Sequence, residues 1–168
     1  TLDILEVVKE VGFNFLAYGN VFTSLVVPFT RHLRCEGTDA AGEPCGTEHP
    51  LRVVYSDERF QFRWANFEFH AKCQKCGHSG RWSHVDRRST NEEDLSVKCW
   101  DPHFIDIIED PLTRRCRYVW RIPEKYKRLV RQGYLDMLET VNWEIVECIK
   151  TNRNMRFDDG VLFHLKEK

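Results

Sequence analysis

The segment that most restricts this chain is Cys73-Gln74-Lys75-Cys76, followed at once by Gly77. A C-x-x-C turn sets two thiolates on one side of a tight loop. A glycine after the second cysteine lets the backbone take a positive φ, so that its amides face the sulfurs. Upstream stand Cys35 and Cys45, the latter followed by Gly46. Nine residues separate Cys35 from Cys45, where about two to four are usual within a zinc knuckle, so the later pair carries the stronger signal. With β-rich sequence between them, the two pairs read as a four-cysteine zinc ribbon whose ligands are Cys35, Cys45, Cys73 and Cys76, holding one structural Zn2+. Four thiolates fill a tetrahedral site and leave no open position, which suits structure rather than catalysis. The alternative is two unrelated cysteine pairs, one of them a disulfide. His49, His70, His78 and His84 also lie near enough in sequence to replace a cysteine, and His78 stands two residues past Cys76.

Seven cysteines is an odd number, and their spacing suits a metal better than a disulfide framework in 168 residues, which points to a reducing compartment. Cys99, Cys116 and Cys148 stand singly and are expected as small buried hydrophobes. A chain this long, 42% hydrophobic, supports a core domain together with a small inserted module. Its net charge of −1 shows no global basic excess for a polyanion partner. No run reaches the length of a membrane span, and no secretory apolar segment is present. The chain starts at Thr1 and its methionines are Met137 and Met155, so it is expected to be a piece of a longer polypeptide.

Apolar residues at Ile4, Val7, Val8, Val11, Phe15 and Tyr18, with Asp3, Glu6, Lys9 and Glu10 opposite, predict an amphipathic helix over 2–18, closed by Gly19-Asn20. Strands are predicted over Val21 to Val27, Leu51 to Tyr55, Arg59 to Ala71 with a bulge or bend at Ala65-Asn66, Gly80 to Val85, Phe104 to Ile108 and Cys116 to Ile122, and ordered structure resumes at Leu95 to Trp100. Asp86 to Asp94 reads as a polar loop, and Asp110 to Arg114 as a hairpin turn. Pro123 opens a helix that runs to about Gln132, and a second follows with Tyr134, Met137, Leu138, Val141, Ile145, Cys148 and Ile149 on its buried face. A last hairpin, Met155 to Phe157 with Val161 to Leu165, turns at Asp158-Asp159-Gly160. The fold class is therefore α+β: a discontinuous body from 1–30 and 95–168, interrupted by the ribbon over 31–94.

Within 31–90 ten basic residues, interleaved with aromatics, meet eight acidic ones. That small excess argues against a dedicated nucleic-acid reader, although cations beside aromatic rings are the chemistry of single-strand binding. Most of those rings are expected to form the ribbon's core. No G-x-S-x-G, phosphate-cradling glycine loop or H-E-x-x-H occurs, so no enzyme is expected. Asp158-Asp159 before a glycine is turn chemistry, and Glu92-Glu93-Asp94 is a charged loop.

With the ribbon set aside, the order of motifs resembles the middle of a tailed-phage portal protein. Leu16-Ala17-Tyr18-Gly19-Asn20-Val21-Phe22 is similar to the turn from helix to strand that portals carry. Trp100-Asp101-Pro102-His103-Phe104-Ile105-Asp106-Ile107 is similar to their next strand. Asp110 to Arg114 with Cys116 to Trp120 resembles the following hairpin, and Asp159 to Lys166 the terminal strand. The resemblance covers about two thirds of the chain, and the ribbon departs from it. It implies a homo-oligomeric ring subunit at the capsid vertex of a virion, with DNA passing through the ring and with terminase and capsid proteins as partners. No covalent chemistry is implied. The alternative is a cytoplasmic zinc-ribbon module that binds nucleic acid or protein partners.

Overall fold

The computed structural model describes residues 4–91 and 94–166. Leu2 and Asp3 of the expected first helix, Glu92 and Glu93 of the acidic run, and Glu167 and Lys168 lie outside the described residues. The protein is α+β, with antiparallel sheets throughout, and it divides into two units.

One unit comprises the described residues of 1–28, 89–124 and 147–168. Helix α1 spans Ile4–Tyr18 and ends where Gly19 N–H donates to Phe15 O at 2.8 Å. None of its residues is buried, and Leu5, Phe13 and Leu16 are all largely exposed. Strand β1, Asn20–Val26, lies between β7, Ser96–Trp100, and β11, Phe163–Lys166. Phe22 is the register partner of both Trp100 and His164. A second sheet consists of β8, Ile105–Glu109, β9, Cys116–Trp120, and β10, Met155–Arg156. The expected turn at Asp110 joins β8 to β9, and the Asp110 carboxylate accepts from the amides of Leu112 and Thr113.

The predicted terminal hairpin does not form. Met155–Arg156 pairs with β9, and Phe163–Lys166 pairs with β1 in the other sheet. Each segment satisfies its ladder where its side chains find cover: Phe157 packs edge-on to Trp100 at 5.0 Å, and His164 stacks on Phe22 at 4.4 Å. The lone cysteines differ from expectation too, since Cys116 is exposed and Cys99 and Cys148 are only half-buried.

The other unit comprises 29–88 and 125–146. Its sheet has the order β3-β2-β6-β5-β4, built from β2, Phe29–Cys35, β3, Glu48–Pro50, β4, Arg63–Ala65, β5, Glu68–Lys72, and β6, Ser79–Arg88. The segment Leu51–Ser56 is helix α2, not a strand, because Leu51 and Val54, three apart, both go into the core while Arg52, Val53 and Tyr55 face out. The expected long strand from Arg59 is a helical turn, Glu58–Phe60, followed by a β4–β5 hairpin. Its supposed bulge is the hairpin turn, with Asn66 and Phe67 at φ 53° and 61°. Strand β6 continues to Arg88, through the start of the expected loop.

The observed units also differ from the expected division at 94, because residues 125–146, far along the chain, belong with the cysteine-bearing sheet. Helix α3 spans Glu124–Gln132, α4 Leu135–Thr140, and α5 Trp143–Lys150, so the single long helix expected from Tyr134 is broken after Thr140. Leu138 is fully buried in one cluster with Leu33, Phe69 and Trp82. Trp64 donates its indole N–H to Val130 O at 2.9 Å, and Trp143 stacks on His84 at 3.9 Å. Arg52 on α2 pairs with Glu139 on α4. Sixty residues of sheet with many polar positions bury too little surface alone, and these helices supply the missing apolar cover.

Candidate metal centre

The end of β2 delivers Cys35, and the loop that follows carries Cys45 just before β3. The turn between β5 and β6 carries Cys73 and Cys76. Pairing of Cys35 with Trp82 and of Lys72 with Ser79 brings the two loops to the same end of the sheet. The four Sγ atoms all lie within 4.8 Å of one another. Cys35 and Cys76 are 3.7 Å apart, and Cys45 and Cys73 3.8 Å, distances that exclude a disulfide in either pair. All seven cysteines are free. Cys35, Cys45 and Cys73 are buried and Cys76 is half-buried.

The backbone is shaped around the sulfurs. Gly46 and Gly77, each directly after a cysteine, take φ of 58° and 73°, the left-handed region in which a side chain is strained. Gly37 N–H donates to Cys35 Sγ at 3.3 Å, and the Cys73 amide donates to His78 O at 2.8 Å. Burial pushes the Cys35 thiol up to about 12. Cys45 is drawn down to about 6 by hydrogen bonds from the Thr47 hydroxyl, 3.1 Å away, and the Thr47 amide. Four sulfurs packed so closely cannot all ionise against one another, whereas a divalent cation at their centre stabilises every thiolate at once. The donor set thus fits a metal ion.

The sequence signal located all four ligand candidates. The four histidines lie elsewhere: His49 is against Phe60, His84 is on Trp143, and His70 is beside Glu68. His78 is close to the loops but outside the sulfur cluster. Of the aromatics, Phe60, Phe69 and Trp82 are buried and Phe62 and Trp64 pack against them, as core. Several cations of 31–90 are engaged with acids of the same segment: Arg34 and Arg87 hold Glu48, Arg59 holds Asp57, and Arg81 reaches Glu36 and Glu68. Sequence reading missed the contribution of Arg31, a wholly buried cation whose only sequence signal is a charge amid β-forming residues.

Fold and site together define an α+β protein with four cysteines close enough to hold a metal ion. No family model matches the chain, and neither the curated proteins nor the solved structures give a match. Among the described residues no helix is long and apolar enough to cross a membrane.

Proposed function

We propose that the four cysteines hold one structural zinc ion and that the chain is the middle portion of a portal-like ring subunit, through which DNA passes at a capsid vertex. The zinc reading rests on one geometric match. A tetrahedral Zn–S distance of about 2.3 Å requires sulfur separations of about 3.8 Å; two of the six edges are 3.7 and 3.8 Å, and all six lie within 4.8 Å. With four sulfur ligands the ion has no place for a substrate, so its role is to fasten two loops.

The portal reading rests on the order of its motifs, and one relationship in the fold supports it. The segments that resemble the family at Asn20, Trp100 and His164 are adjacent strands of one sheet, and His164 Nε2 lies 2.9 Å from Asn20 Oδ1 across 144 residues of sequence. The second reading, a zinc module that binds nucleic acid, is favoured by α3, which adds Lys125, Lys127, Arg128 and Arg131 to the cysteine-bearing unit.

Metal analysis of the purified chain should return one zinc, lost in Cys73→Ser and Cys76→Ser; a metal-free protein that keeps its fold in strong chelator overturns the zinc reading. Native mass spectrometry of the full-length protein should show a closed ring. A monomer at high concentration that binds single-stranded DNA, with affinity falling steeply as salt rises, would replace the portal reading by the second one.

A further inference from the structure

Two residues outside the sulfur cluster each tie together the two cysteines of one loop. Gly37 donates its N–H to Cys35 Sγ at 3.3 Å, and its carbonyl accepts from the Cys45 amide at 2.8 Å. His78 closes the other loop: it stands two residues past Cys76, and its carbonyl accepts from the Cys73 amide at 2.8 Å. These two residues also touch each other. A Cβ placed on Gly37 would overlap His78 Cβ and lie 2.5 Å from its Cγ, so the space a side chain would take at 37 is filled by His78. The far end of the imidazole rests on Gly80 in the same way, where an added Cβ would lie 2.7 Å from Nε2. The ring therefore spans from the first ligand loop to the start of β6.

We propose that His78 is a positioning residue for the metal centre: its ring clamps the Cys35–Cys45 loop onto the Cys73–Cys76 loop through Gly37, holding both half-sites at ligating distance by shape and not by coordination. The proposal rests on the zinc reading above. Groups that orient metal ligands without touching the metal commonly change affinity by about 10–100-fold. A flat side chain at 78 and hydrogen alone at 37 and 80 are the features the clamp requires. The imidazole nitrogens have no part in it.

The test measures zinc release from the intact chain to a chromophoric chelator. His78→Ala should release zinc about tenfold faster than wild type or more, and His78→Phe, which keeps a flat ring but no nitrogen, should stay close to wild type. Gly37→Ala should be faster as well, because its added Cβ would overlap the His78 side chain. Release from His78→Ala at the wild-type rate would overturn the clamp. Equal acceleration in His78→Ala and His78→Phe would overturn it too, in favour of a histidine ligand. A wild-type chain without zinc would instead defeat the metal reading. In that event amide exchange decides the clamp: the Cys45 and Cys73 N–H groups exchange faster in His78→Ala if the contact holds the loops, and unchanged exchange overturns it.

Discussion

Arg31 and Asp86 face each other across β2 and β6 as a bidentate pair, with Nε to Oδ1 at 2.7 Å and Nη2 to Oδ2 at 2.6 Å, and the arginine side chain is fully buried. The same guanidinium donates to Leu138 O at 2.6 Å and to Val141 O at 3.0 Å, satisfying the carbonyls where α4 ends. It also lies 5.4 Å from the Trp143 ring. One cation thus joins the sheet to the break between α4 and α5. Removing it strands a carboxylate and two carbonyls. Arg31→Met should destabilise the cysteine-bearing unit by about 3 kcal/mol or more, because breaking a buried pair leaves an uncompensated charge. Urea unfolding followed by tryptophan fluorescence would measure it, and a loss below about 1 kcal/mol, the range of a surface pair, would contradict this role.

Leu138 gives an independent measure of how far the helices belong to the cysteine-bearing sheet. It is fully buried among Leu33, Phe69 and Trp82. Leu138→Ala should cost about 2–5 kcal/mol and should hasten zinc release, although the residue lies far in sequence from every cysteine. Wild-type release kinetics in this variant would mean that the helix packs beside the sheet without supporting it.

Metal removal should act on one unit. Hydrogen exchange in chelator is expected to rise across 29–88 and 125–146, and to change little in the β1–β7–β11 sheet. Binding to the folded site alone makes the metal's binding energy part of that unit's stability. Uniform loss of protection along the whole chain would show that the units unfold together.

His164 should make the other unit sensitive to acid. Its Nδ1 lies 3.1 Å from the Tyr118 hydroxyl and its Nε2 2.9 Å from Asn20 Oδ1, so the neutral ring bridges β11, β9 and β1. Burial, with Lys166 adding to it, holds His164 below the ordinary imidazole range. A histidine whose folded value is depressed contributes stability that is complete above its unfolded value and is lost as pH falls through the folded one. Protection of β11 amides should therefore fall from pH 7.5 to pH about 5, and His164→Gln should flatten that dependence. An unchanged slope in the variant would exclude His164 as its source.

Much of this was legible because local chemistry left little choice. Cys-x-x-Cys-Gly specified its own turn, Asp110 to Arg114 its hairpin, and Pro123 the start of α3. Leu51 to Tyr55 misled because Val53 and Val54 favour strands, whereas the i, i+3 spacing of Leu51 and Val54 set the outcome once a core existed to receive them. The terminal segments misled in another way. A turn at Asp158 to Gly160 is compatible with a hairpin, yet each flanking strand found a better partner made by distant sequence.

By itself the sequence determined the Cys-x-x-Cys turn, the turn glycines beside the cysteines and the α+β character, since each depends on residues a few positions apart. Tertiary structure alone decided that 125–146 joins the cysteine-bearing sheet, that Arg31 is buried, and that His78 lies against Gly37. Those facts follow from which apolar faces lack cover and which buried polar groups lack partners. That balance exists only when the whole chain is folded, so no local window contains it.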